Sequence, residues 1–204
     1  IGIPTAWVLN SLTDAMNNLN GASKYALAVA IGVFGELDYG GTVTKAVSMF
    51  TLSLINEGNY FPNGLFRITV SIPPIGIFIS TIIAQKKWSQ EDRDLAKSIA
   101  IIGCLGITEG AIPFAAKDIK RVVPSSICGC IVGALIGGFG NVSCPVPHGG
   151  FIVLPVVGEP LWYALGIIVG SVVTGIILSI LKKPLSEEEQ ESSSASDMNP
   201  LAVE

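Results

Sequence analysis

Gly106-Ile107-Thr108-Glu109-Gly110-Ala111-Ile112-Pro113-Phe114-Ala115-Ala116-Lys117-Asp118 sets one carboxylate among glycines in the middle of an apolar run. Between Ile99 and Ala116 the ionisable side chains are Glu109 and the thiol of Cys104. A carboxylate at the centre of a membrane helix costs roughly 2.5–3.5 kcal/mol on insertion scales, so it is rarely there without a polar partner or a task. Glu109 is therefore the first functional candidate. Glycine loosens a helix, and Pro113 removes a backbone donor and crowds the preceding turn. A broken or re-entrant segment is expected here rather than a straight helix.

The segments on either side set the frame. Gly64 to Ala84 is long enough to cross a bilayer, with Arg67 near one end and Pro73-Pro74 as a kink. Val122 to Gly140 is a second crossing candidate, glycine-rich enough for close helix contact, and Leu161 to Leu181 is an uncharged third. Gln85 to Lys97 reads as a polar loop, and Asn141 to Pro160 as a proline-rich connection holding His148, the single histidine. Upstream, Tyr25 to Phe34 and Val43 to Ile55 are apolar but short of the roughly 20 residues a spanning helix needs. They meet at Glu36, Asp38, Gly40 and Gly41, which reads as a re-entrant hairpin or a broken helix. Ile1 to Asn20 has apolar residues at three- and four-residue steps, the pattern of an amphipathic helix.

Basic residues beside spans favour the cytoplasmic side. If the Glu109 segment crossed fully, the Lys86/Lys87 loop and the Lys117/Lys120/Arg121 cluster would face opposite sides. If it enters and returns, both lie on one side, and the two following spans bring Lys182-Lys183 there as well. The re-entrant arrangement is the one that satisfies all three clusters.

Composition agrees with a membrane chain. Half of the 204 residues are hydrophobic and 14% are charged, against about 25% charged in a soluble domain; the mean hydropathy is +0.60. The net charge of −4 resides in the tail, where six of the sixteen acidic residues fall between Glu187 and Glu204. No basic surface for nucleic acid is implied. Residues 184–204 form an acidic, serine-rich tail read as disordered, following a permease-like region over residues 1–183. The chain starts at Ile1 with no cleavable signal pattern, so a fragment lacking earlier spans is expected. Cys104, Cys128, Cys130 and Cys144 read as buried free thiols, Cys128 and Cys130 being too close for a usual metal or redox pair. No metal site or cofactor is expected.

The Glu109 stretch, Asp38-Tyr39-Gly40-Gly41-Thr42-Val43-Thr44-Lys45-Ala46 and Pro147-His148-Gly149-Gly150 together resemble three signatures, in order, of one family. It is the fructose-type enzyme IIC, the membrane permease component of the bacterial phosphoenolpyruvate-dependent sugar phosphotransferase system. The resemblance runs from about Ile1 to about Lys183 and implies its carboxy-terminal portion. It implies an all-α integral membrane protein, a multi-span helical bundle with re-entrant hairpins that acts as a homodimer in the bacterial plasma (inner) membrane. A fructose-like hexose would be bound in the membrane and translocated for phosphorylation by a cytoplasmic IIB domain, itself served by IIA. Neither phosphocarrier motif is visible, so the chain is a permease subunit without a phosphocarrier residue of its own.

Expected sugar contacts are Glu109, Thr108 and Gly110 at the central motif, His148 in the Pro-rich loop, and Asp38, Gly40, Gly41 and Lys45 upstream. An ionised carboxylate offers four lone-pair sites to sugar hydroxyls. The alternatives are a structural Glu109 paired with Lys117 or Lys45, an Asp38–Lys45 pair, and a His148 that merely packs. Thr42 and Thr44 stand where the family has Pro and Asn, which leaves the identity of the sugar open. Rival readings of the whole are an ion- or proton-coupled secondary transporter and an inactive permease fragment.

Overall fold

The computed structural model describes residues 23–184; the expected amphipathic helix and the acidic tail lie outside them. The described residues form an all-α membrane protein without strands, apart from an isolated bridge between Ser143 and Gly158. In order the helices are α1 (Ser23–Phe34), α2 (Thr42–Asn56), α3 (Phe61–Thr69), α4 (Ile72–Ile83), α5 (Gln90–Cys104), α6 (Ile112–Lys117), α7 (Ile119–Phe139) and α8 (Pro160–Leu181).

Among the described residues three rods are long and apolar enough to cross a membrane: Phe61–Ile83, Ile119–Phe139 and Pro160–Leu181. The first is α3 and α4 joined through Val70 and Ser71, with Pro73 and Pro74 in the first turn of α4. There a missing backbone donor costs least. The other two rods lie along each other because both present small residues at the seam. A side-chain carbon at Gly133 would stand 2.7 Å from the Gly166 carbonyl oxygen, and one at Gly170 would stand 2.7 Å from that of Gly129. Between membrane helices there is little hydrophobic driving force, and such close backbone approach supplies the packing instead. On the far side of α8, Leu161, Leu165, Ile168, Val172, Ile176 and Ile180 are exposed at helical spacing, an apolar stripe facing outward.

The three rods bring their basic ends together. Lys87 after α4, Lys117 and Arg121 around the start of α7, and Lys182 and Lys183 after α8 all line one cavity of about 530 Å³. The chain between Lys87 and Lys117 thus leaves this end and returns to it. Helix α5 climbs about 22 Å from it, the chain turns at Leu105 to Ile107, and a short 3₁₀ turn (Glu109–Ala111) with α6 leads back down. An ion pair between Lys117 and Asp92, 2.6 Å, closes the hairpin at its base. The entering limb differs from the expected loop over Gln85 to Lys97, for helix begins at Gln90. Ser89 caps it by accepting from the Asp92 backbone N–H, with Glu91 and Asp92 in the positive first turn.

A second hairpin comes from the opposite end. The start of α1 is tied there by Lys24 to Asn141 at 3.0 Å and by Tyr25 against Phe139. Helix α1 descends beside α7, turns over Gly35 to Gly41, and α2 climbs back toward Tyr60, whose carbonyl accepts from the Cys144 N–H. The two hairpins meet tip to tip inside the molecule.

Candidate functional site

The first tip is held by its own acid. Asp38 accepts from the backbone N–H groups of Val43 and Thr44 at 2.8 and 3.0 Å and from the Thr44 hydroxyl at 2.7 Å. These donors belong to the first turn of α2, where a carboxylate suits the helix dipole. Tyr39, in a left-handed conformation, is buried and donates to the Ser126 hydroxyl of α7 at 2.9 Å. The Asp38–Lys45 pair is therefore not formed: Asp38 is a helix cap, and Lys45 is exposed one turn into α2.

The second tip turns at Gly106, whose φ of +81° a residue with a Cβ adopts only under strain. A side chain there would also overlap the backbone of Gly149, and one at Gly150 would overlap Leu105 and Gly106. The Pro147-His148-Gly149-Gly150 loop is thus pressed onto the tip through its glycines, while the His148 ring is exposed and lies off the cavity described next. Thr108 is buried and donates to the Glu36 carboxylate of the first tip. Glu109 is exposed and, among the described residues, has no ion pair; Lys117 is engaged with Asp92 instead. At Gly40 an added carbon would stand 2.8 Å from Glu109 Oε1, so the absent side chain is what lets the carboxylate lie against the first tip.

Between the tips is a cavity of about 150 Å³ lined by Gly40, Thr44, Lys45, Ser48, Phe66, Arg67, Val70, Gly106, Thr108 and Glu109. It brings together five expected positions: Gly40, Lys45, Thr108, Glu109 and, through its bond to Thr44, Asp38. Gly41 and Gly110 support the tips from behind, the first against Asp38 and the second against Ile99. Three residues of the arrangement were not singled out from the sequence. Arg67 is buried and held by Asn63 at 3.1 Å, which in turn donates to the Cys144 and Val146 carbonyls. Phe66 supplies an aromatic wall, and Glu36 is fully buried beneath Thr108. A lone cation inside a spanning segment is the signal that points to Arg67.

Chemically the cavity offers a carboxylate acceptor, two cationic donors, hydroxyls and one aromatic face, the set that holds a small polyhydroxylated molecule. Among the described residues no group of three or more His, Cys, Asp or Glu side chains could hold a metal ion. The thiols of Cys104, Cys128, Cys130 and Cys144 are free. Cys130 and Cys144 are buried, whereas Cys104 is half-buried and Cys128 is exposed, contrary to expectation. In the loop after α7, burial pushes the Cys144 thiol up from its ordinary range.

Three relatives illustrate what the chain is similar to. It is 36% identical over 188 residues to the "Fructose permease IIC component" of Bacillus amyloliquefaciens, covering 92% of this chain and 62% of that one. It is 39% identical over 186 residues to the "Fructose-like permease IIC component 2" of Escherichia coli (strain K12), covering 89% and 51%. To the "PTS system fructose-specific EIIABC component" of Bacillus subtilis (strain 168) it is 36% identical over 188 residues, covering 92% and 30%. The chain thus spans between about a third and three fifths of the length of these relatives. No family model matches it. No solved structure matches it.

Proposed function

We propose, from its similarity to fructose-type enzyme IIC permeases of the sugar phosphotransferase system, that the chain forms the sugar-binding part of such a permease. A fructose-like hexose is held between the two hairpin tips, with its hydroxyls on Glu109, Arg67 and Lys45 and an apolar face on Phe66. The protein is a multi-pass, homodimeric component of the plasma (inner) membrane. Its basic end, where Lys87, Lys117, Arg121, Lys182 and Lys183 converge, faces the cytoplasm. There it presents sugar to a IIB phosphocarrier charged by IIA. Fusion of IIB to the permease in relatives such as the EIIB'BC component of Rhodobacter capsulatus supports the IIB partner.

The observation that carries the reading is a cavity between opposed hairpin tips at which one carboxylate, Glu109, has no ion pair among the described residues. A site built to bond hydroxyls favours molecules that carry them over those that do not. The test is uptake of labelled fructose by vesicles carrying the complete permease with its IIB. Uptake that requires phosphoenolpyruvate and persists with a protonophore supports the proposal. Uptake that ignores phosphoenolpyruvate and collapses with the protonophore assigns an ion-coupled transporter instead.

A further inference from the structure

We infer that Glu36 is a positioning residue for Glu109, acting through the Thr108 hydroxyl as a clasp between the two hairpin tips; this rests on the reading of the cavity as the sugar site. Glu36 closes the first hairpin's descending limb, has no exposed surface and does not line the cavity itself. Its Oε2 accepts from the Thr108 hydroxyl, and its Oε1 has no donor among the described residues. A bare buried acceptor costs stability, so an apolar residue of similar reach would serve the fold better. What the carboxylate adds is a fixed link to the other hairpin.

The link bears on the ligand because Thr108 and Glu109 are adjacent. The first tip touches this pair twice: Glu36 holds Thr108 from beneath, and Gly40 leaves the space in which the Glu109 carboxylate lies. Behind the turn the close contacts of Gly149 and Gly150 fall on Gly106. Releasing Thr108 therefore loosens the backbone from which Glu109 projects, and a sugar must then order that carboxylate at the expense of its own affinity.

The experiment measures binding of radiolabelled fructose, by equilibrium dialysis, to the purified complete permease carrying this sequence, beside a thermal melt. Glu36→Leu is expected to weaken binding about tenfold with the melting temperature little changed, since the bare oxygen is gone while the buried Thr108 hydroxyl loses its acceptor. Glu36→Gln restores most of the affinity, because its amide oxygen still accepts from Thr108. Thr108→Val also weakens binding, and adding Glu36→Leu to it costs nothing further, as expected for two residues acting in one link. Unchanged affinity in a folded Glu36→Leu protein overturns the inference, and so do losses that add in the double variant. A Glu36→Leu protein that loses stability while its folded fraction binds normally also overturns it. Glu109→Gln separates the two levels. Normal fructose affinity in that variant, or no binding by the unmodified permease, overturns the sugar site, whereas a weakened Glu109→Gln beside an unchanged Glu36→Leu overturns only the clasp.

Discussion

The two hairpins enter from opposite ends and carry similar glycine-flanked acids, yet one tip is closed on itself and the other is open. At the first, Asp38 spends its oxygens on three donors of the following helix, and Glu36 is shut beneath Thr108. At the second, Glu109 reaches the cavity with no ion pair of its own among the described residues. Three acids thus share one small region: Asp38 is satisfied by its own helix, Glu36 is linked to Thr108 through one oxygen with the other bare, and Glu109 is left open. An acid satisfied by its own fold contributes stability, and an acid left open is available to a ligand. Substitutions at Asp38 and at Glu109 should therefore separate into a loss of stability and a loss of binding.

The largest effect is expected where the open tip is braced. Gly58 and Gly106 share a φ of +81°, but an added carbon at Gly58 meets nothing, while at Gly106 it overlaps Gly149. Gly58→Ala therefore reports conformational strain alone, about 1–2 kcal/mol. Gly106→Ala adds a backbone clash of about 1–3 kcal/mol, for a total on the order of 2–5 kcal/mol. Thermal melts of both variants test this; equal losses would mean that the glycine loop does not brace the tip.

Next in size is the loss of binding at Glu109. A hydrogen bond to a charged group contributes about 1.5–3 kcal/mol, so Glu109→Gln should lower sugar affinity by about ten- to a hundredfold with little change in melting temperature. Glu109→Asp should fail similarly, since its oxygens are withdrawn from a fixed ligand. A fall in stability with normal binding would make Glu109 a structural carboxylate and close the distinction between the tips.

The mirror-image experiment is Asp38→Ala. Losing a helix cap costs about 0.5–2 kcal/mol, so the melting temperature should drop while the folded fraction binds sugar normally. Weaker binding in an equally stable protein would return Asp38 to the site.

How far the sequence reveals this contrast depends on the range of the interaction. Span length and the basic clusters disclose the rods and their shared basic end, because hydrophobic length and charge placement are properties of single segments. The return of the Glu109 segment followed from the same charges. The role of Asp38 was not legible, since an acid four residues before a helix start can cap it, pair with Lys45 or face a ligand, and local backbone geometry decides. Glu36 and Arg67 acquire meaning only through partners far along the chain, Thr108 for one and the loop carbonyls held by Asn63 for the other. The helix over Gln90 to Lys97 was concealed by its polarity, although Ser89 and the acids after it carry the capping pattern.

The smallest expected effect lies at the base of the open hairpin, where Lys117 meets Asp92. The partners are unequal: the Lys117 side chain is 53% exposed and that of Asp92 is 8% exposed. A half-exposed pair is screened by water and salt, which places its contribution in the range of about 0–1 kcal/mol. The inequality still gives the two substitutions an order. Lys117→Met leaves a nearly covered carboxylate without its cation, the costlier half to strand, whereas Asp92→Asn leaves a lysine that can turn to solvent. Lys117→Met should therefore lower the melting temperature more than Asp92→Asn, and the gap should narrow as salt is raised. Neither should alter sugar affinity, because the tip is fixed by Gly106, Thr108 and Glu36 at the far end of α5. Melts at low and high salt, beside fructose binding, test both statements. If either substitution weakened binding without lowering the melting temperature, the base of the hairpin would be part of the device that sets Glu109, and tip and base could no longer be treated as independent.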